Sequence, residues 1–218
     1  MKEKLVIFGT GLFAEVVHYY LSREEQYEVV AFTKDAPIDD DVFLGLPVVP
    51  FDSVESVYPP CEYKMFVAVG YRKVNQLRAN IFDQVKKKGY SCITYISPDC
   101  TYHGKSIGEN CFIMEDNTIQ PFVEIGNNVI LWSGNHVGHH SKIDDHCFIA
   151  SHAVISGSVH VGEYSFIGVN ATMKEAITIA PSCIIGAGSL IMKSTPERSV
   201  YVGVRSKKIH LTSDKLGV

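Results

Sequence analysis

The sequence predicts a small α/β domain with a parallel sheet followed by a β-solenoid, and three observations predict it. Over the first 95 or so residues short apolar runs alternate with helical patterns, the order that builds a parallel sheet. From residue 107 to 191 an aliphatic side chain recurs every six positions with no insertion: Ile107, Ile113, Ile119, Ile125, Leu131, Val137, Ile143, Ile149, Ile155, Val161, Ile167, Met173, Ile179, Ile185 and Ile191. A period of six fits neither a helix nor a heptad, but it fits a solenoid whose repeat is one short strand and one turn. Ser97-Pro98-Asp99 separates the two patterns, giving boundaries at 1–96, 97–195 and a tail at 196–218.

The first strand spans residues 4–8 and runs into Gly9-Thr10-Gly11, then a helical stretch over 15–21 and a second strand over 28–32 that ends near Asp35. Strand, glycine turn and helix, with an acidic residue about twenty positions on, have the form of a phosphate-binding turn at a helix N-terminus. The run 45–50 carries Pro47 and Pro50 and predicts an edge strand, because proline removes ladder donors. Residues 64–69 predict a buried strand, 74–88 a helix ending at Gly89, and 91–95 a fifth strand. Ligands bind at the carboxyl ends of such strands, where Gly9, Gly11, Asp35 and Arg72 are expected to gather around the nucleotide part of a substrate.

In the repeats, small or medium side chains such as Cys111, Ser141, Cys147, Ala153 and Cys183 stand four residues after an aliphatic position. Glycine, Asn and Asp collect just behind that position and suit tight corners. Cys111, Cys147 and Cys183 lie 36 residues apart and read as buried packing residues, and no Cys-x-x-Cys pair occurs among the six cysteines. With 46% hydrophobic and 20% charged residues, the 218-residue chain has the composition of a soluble globular protein. Its formal charge of −4 gives no reason to expect nucleic acid or an anionic membrane as partner. The N-terminal apolar run is too short for a signal peptide or a membrane span, so a cytoplasmic location is expected.

The landmarks 8–14 (FGTGLFA), 67–72 (VAVGYR), 96–99 (ISPD), 138–140 (GHH), 153–157 (AVISG), 166–170 (FIGVN), 185–188 (IGAG) and 202–205 (VGVR) keep their order along the whole chain. In this the sequence resembles the sugar N-acyltransferases of the left-handed β-helix superfamily, the sialic acid, bacillosamine and perosamine acetyltransferase-like group. The resemblance implies a small Rossmann-like nucleotide-sugar-binding domain and a left-handed parallel β-helix with three hexads per coil. It implies a homotrimer with acetyl-CoA between neighbouring subunits, no metal, and transfer of an acetyl group to the amine of a nucleotide-linked amino sugar in bacterial surface-glycan synthesis. Because no loop interrupts the hexads, the N-terminal domain is expected to supply much of the acceptor's binding surface.

Histidines crowd the repeats at His136, His139, His140, His146, His152 and His160. An amine attacking a thioester must lose a proton, and imidazole suits that work at neutral pH. The resemblance places the base at His139. Gly157 stands 18 residues on, one full coil, and its amide is expected to face the acetyl carbonyl. Gly157, Gly168 and Gly186 are the expected coenzyme-facing positions, with Lys193, Arg198, Arg205 and Lys207 near its phosphates. Where relatives carry a carboxylate after the base, this chain has His140. Orientation of His139 by His140, by Asp144 or by Asp145, and a base shifted to His136 or His140, all stay open. So do O-acetylation of a sugar or sialic-acid-type acceptor and a zinc-binding or scaffold trimer. For zinc, His140, His146 and His152 recur six apart, at equivalent positions on faces that point away from one another.

Overall fold

The computed structural model describes residues 2–38, 40–208 and 210. Strands β1 (Glu3–Phe8), β2 (Tyr27–Lys34), β3 (Val42–Phe43), β4 (Leu46–Pro50) and β5 (Lys64–Val67) form one sheet in the order β3-β4-β2-β1-β5. All neighbours are parallel except β3, which pairs antiparallel with β4. The proline-bearing β4 is therefore not the edge strand expected: the two-residue β3 takes the edge, and Pro50 falls at the last rung of β4 against Lys34. Helix α1 (Leu12–Leu21) follows the glycine turn, a short α2 (Val54–Val57) precedes β5, and α3 (Gln76–Lys87) follows it. The start of α3 lies two residues later than expected because Lys73, Val74 and Asn75 hold left-handed φ values of 53°, 51° and 64°.

Beyond the sheet, two-residue parallel strands stack into three ladders of six, five and seven rungs, the faces of a triangular prism. Each expected hexad supplies one rung, from Ser106–Ile107 to Leu190–Ile191, paired with the rung 18 residues on, as Ile119 with Val137 and Leu131 with Ile149. The aliphatic positions from Ile113 to Ile191 are at most 4% exposed and form the prism's core. The ladder also runs further than the hexads. Tyr95–Ile96 pairs with Phe112–Ile113, so the expected fifth sheet strand divides: only Cys92 bridges the sheet, at Met65, and Tyr95 opens the prism. At the other end Val200–Tyr201 pairs with Ile184–Ile185, inside the segment expected as a tail.

A second six-residue rhythm makes the corners. Left-handed φ values recur at Asn110, Asp116, Phe122, Asn128, Gly134, His140, His146, His152, Ser158, Tyr164, Asn170, Ala176, Ser182 and Gly188. Asn, Asp and His enter that region more readily than other residues with a Cβ, so three of the crowded histidines are corner residues. Inside the corners the small-position side chains donate to carbonyls 15 residues ahead: Cys111 Sγ to Gly126 O, Ser141 Oγ to Ser156 O, Cys147 Sγ to Gly162 O and Ser165 Oγ to Ala180 O. The cysteines are thus both fillers and weak donors, and burial pushes the Cys111 thiol up to about 12.

The N-terminal domain packs on one prism face. That face presents Phe112, Ile130, Phe148 and Phe166 just before the core aliphatics, and they join one apolar cluster with Leu5, Ile7, Ala14 and Phe66. Polar contacts fix the register of docking. Asn110 Oδ1 accepts from Val67 N at 2.7 Å, capping β5. Arg78 of α3 is fully buried and donates to Gly70 O, Asn75 Oδ1, Asn128 O, His146 O and Cys147 O at 2.9–3.2 Å.

Candidate active site

His139 follows the strand His136–Val137 and precedes Lys142–Ile143, so it stands at the prism edge between two faces. Its backbone N–H donates to Gln120 Oε1 at 2.8 Å on the preceding coil. Its ring lies against Gly157 of the following coil: a Cβ there would stand 2.9 Å from Cε1 and 3.0 Å from Nε2. Gly138 completes the arrangement, because a Cβ on it would come within 2.5 Å of Gly157 N. Glycine at 138 leaves that amide uncovered, and among the described residues no acceptor is bonded to it. An imidazole beside a bare backbone N–H is a base next to an oxyanion donor.

His140 turns back on His139. The two Nδ1 atoms are 3.0 Å apart with the rings nearly perpendicular, and the His140 ring lies 4.6 Å from Phe122. The carboxylates considered as orienting groups are engaged elsewhere. Asp144 bonds Lys142 at 2.8 Å and His160 at 2.6 Å, while Asp145 accepts from Asn127. His146 is buried with Nδ1 3.0 Å from Asn128 Nδ2, and its ring faces Tyr164. His152 lies over Gly134 on a different edge from His140. Among the described residues no three His, Cys, Asp or Glu side chains form a metal-ligating group.

Gly168 and Gly186 stand on another edge, between the faces of Phe166–Ile167 and Thr172–Met173. Gly168 borders a pocket of about 350 Å³ walled by Tyr71, Trp132, Phe148, Phe166 and Ala187. Three of its aromatic rings touch: Phe148 stacks on Phe166 at 5.6 Å, and Tyr71 lies 5.0 and 4.9 Å from them. A Cβ at 168 would come within 2.7 Å of Ala187 N, so this glycine too bares an amide. Gly186 is roofed by Tyr201, whose carbonyl a Cβ would meet at 2.8 Å. The pocket residues were not legible as a group in the sequence. The one available signal was Phe before Ile at 112–113, 148–149 and 166–167, an apolar outer face that had to be covered.

In the N-terminal domain, Gly9 has φ +118° and leaves no room for a Cβ, which would meet Ala68 O at 2.8 Å. Gly11 is exposed at the N-cap of α1, and a Cβ on it would meet nothing within 4 Å. Beside this turn a polar cleft is lined by Thr10, Lys34, Asp40 and Phe43. Asp35 and Arg72 are exposed, and among the described residues no hydrogen bond joins them to each other or to Gly11. Phe13 of α1 reaches Trp132 at 6.1 Å, which sets the glycine turn near the aromatic pocket. Lys193, Arg198, Arg205 and Lys207 are exposed, and Arg198 pairs with Glu197.

Comparison with known proteins agrees with this layout. A family profile described as the PglD N-terminal domain matches residues 4–85, and one described as bacterial transferase hexapeptide (six repeats) matches 104–139 and 126–157. A histidine-to-asparagine variant of perosamine N-acetyltransferase from Caulobacter crescentus, solved with CoA and GDP-perosamine, superposes with a TM-score of 0.83 at 28% identity. The match covers 94% of this chain and 95% of that one. The chain thus joins a PglD-type N-terminal domain to bacterial transferase hexapeptide repeats, and in this it matches a hexapeptide-repeat sugar N-acyltransferase. It has the fold class its sequence predicts, an α/β domain followed by a left-handed β-helix. The acetyltransferase domain of PglB from Neisseria gonorrhoeae, in complex with acetyl coenzyme A, shares this fold, with a TM-score of 0.82 at 23% identity over 93% of this chain and 97% of that one. Among curated relatives, the acyl-[acyl-carrier-protein]--UDP-N-acetylglucosamine O-acyltransferase of Nautilia profundicola is 30% identical over 120 residues, 50% of this chain and 46% of that protein. The chain thus spans about half the length of the curated relatives it matches. No helix among the described residues is long and apolar enough to cross a membrane.

Proposed function

We propose that the protein transfers the acetyl group of acetyl-CoA to the amino group of a nucleotide-linked deoxy sugar, with His139 as general base and the Gly157 amide as oxyanion donor. The observation that carries this reading is the His139 ring lying against Gly157, whose N–H is bare. The sugar amine attacks the thioester carbonyl directly. His139 Nε2 takes the proton the amine must lose and delivers it to the departing sulfur, while the amide stabilises the oxygen on which charge develops. The turn at Gly9 and Gly11 with the start of α1 suits the nucleotide's phosphates, and Asp35 and Arg72 border that end. The aromatic pocket, with Gly168 in its lining and Gly186 one coil on along the same prism edge, suits the apolar stretches of the ligands.

His139 and the pocket stand on different edges of one prism, so a complete site needs a second copy beside the first. This supports a homotrimer with its sites between subunits, while a place in cytoplasmic surface-glycan synthesis rests on the resemblance of the sequence. The relative solved with CoA and GDP-perosamine supports the same substrate classes. A second reading, O-acylation of a sugar, has the match to the O-acyltransferase repeats in its favour. Thiol release from acetyl-CoA, followed across nucleotide sugars with an amine or a hydroxyl at the same carbon, decides between them. Turnover confined to the amines, and lost in His139→Ala by about two to four orders of magnitude, is the expected result. Full turnover in that variant would remove the assigned base.

A further inference from the structure

A base is useful only if its ring is held in the right tautomer, and the group that does this is usually a carboxylate or a carbonyl. Here neither bonds the His139 ring among the described residues. Its neighbours are Gln120, which takes the backbone N–H, Gly157, and His140, whose Nδ1 is 3.0 Å from its own Nδ1. We infer that His140 is a positioning residue that holds His139 as the Nδ1–H tautomer, accepting that hydrogen on its own Nδ1 and leaving Nε2 of His139 free beside Gly157. This inference rests on the assignment of His139 as base.

Being a corner residue does not account for this contact. His146 and His152 hold the same left-handed backbone, with φ values of 64° and 60° against 59° at His140. Yet His146 turns Nδ1 to Asn128, and His152 lies over Gly134. Among the described residues it is at 140 that a corner ring meets an imidazole before it. The ring of Phe122, one coil back, lies 4.6 Å from that of His140 and 33° from parallel to it. Phe122 itself occupies a left-handed corner that a bulky residue enters only at a cost.

An imidazole differs from a carboxylate in one measurable way. Taking up a proton at Nδ1 of His140 removes the acceptor, and taking up a proton at Nε2 of His139 removes the base, so acid inactivates through two sites rather than one. No charged side chain bonds either ring among the described residues. Those of the adjoining face pair with one another, Lys105 with Glu124, and Lys142 and His160 with Asp144. Gln120, Phe122 and Gly157 are the pair's uncharged neighbours, and the charged residues further along the same edge are Lys174 and Glu175, one coil beyond Ser156 and Gly157 and exposed to solvent.

The test is the acid limb of log kcat/KM against pH, with nitrogen-15 spectra of the imidazoles in the wild-type protein. The wild-type limb is expected to steepen toward a slope of two. In His140→Asn, which tolerates the corner and offers an amide oxygen as acceptor, it should fall to one with most of the turnover kept. His140→Ala should lose roughly tenfold to a hundredfold in kcat with little change in KM for acetyl-CoA. The spectra should show His139 protonated at Nδ1 in the resting enzyme. A His139 protonated at Nε2, or a slope unchanged in His140→Asn while His139→Ala is inactive, overturns the role of His140 alone. A fully active His139→Ala overturns the base and the positioning residue together.

Discussion

His139 and Gly157 hold equivalent places on successive coils of one prism edge, 18 positions apart in sequence, and a Cβ on Gly157 would stand 2.9 Å from the His139 ring. The pair makes Gly157→Ala an informative change. Gly157 does not hold a left-handed φ, so alanine fits the backbone, but its methyl would stand 3.0 Å from Nε2 and push the ring off the amide. The expected outcome is a kcat lowered about a hundredfold with an unchanged thermal midpoint. A loss of stability without a loss of turnover per folded molecule would show that the glycine serves packing alone.

The two glycines of the N-terminal turn should respond in opposite ways. At Gly9 a Cβ would collide with Ala68 O and the backbone is left-handed, so Gly9→Ala should destabilise the domain by about 1–3 kcal/mol. At Gly11 there is open space, and Gly11→Ala should leave the unfolding midpoint where it is. If the nucleotide's phosphates approach Gly11 closely, that second variant raises KM for the nucleotide sugar and not for acetyl-CoA. Steady-state kinetics in both substrates, alongside denaturant unfolding, reads each effect separately.

Arg78 is the polar anchor of the domain interface. Removing its guanidinium leaves carbonyls of Gly70, Asn128, His146 and Cys147 without that donor in a region closed to water. Arg78→Ala should therefore cost on the order of 3 kcal/mol or more, and Arg78→Lys should recover little because an ammonium cannot reproduce the planar fork. Burial lowers the guanidinium to about 10, so it stays charged at neutral pH. Differential scanning calorimetry of both variants checks the ranking.

Much of the fold could be read from one period. The aliphatic hexads fix the rungs, and the 18-residue coil sets His139 beside Gly157 once three faces are granted. The corners were harder, since left-handed positions filled by Phe122, Tyr164 and Ala176 carry no turn signal of their own. The docking of the two domains was not legible, because Arg78, Asn75 and Asn110 look like ordinary surface residues until the carbonyls and amides they meet are in place. The aromatic pocket escaped for a related reason. Its walls come from the loop after β5 and from three coils, and only packing brings Tyr71 onto Phe148 and Phe166.

The column Asn110, Asn128, His146 and Tyr164 along one edge gives a prediction for acid stability. Asn110 Nδ2 donates to Asn128 Oδ1 at 2.8 Å, and Asn128 Nδ2 in turn faces His146 Nδ1, so the buried imidazole serves as an acceptor in its neutral form. Burial holds His146 below the ordinary value of 6.5, opposed by Asp145 and helped by Arg78. A base lowered in the folded state binds its proton more readily when unfolded. The stabilisation is therefore complete above about 6.5 and is lost as the pH falls from there toward the lower folded value. Replacing His146 by Asn keeps a residue that tolerates the left-handed corner and accepts from Asn128, but removes the titration. The unfolding free energy of the wild type minus that of His146→Asn should be flat above pH 7 and decline below 6.5, since other acid-sensitive groups such as Asp144 and His18 are common to both and cancel. Parallel curves from pH 8 to 5 in urea unfolding would show that His146 does not titrate in this range as its burial requires.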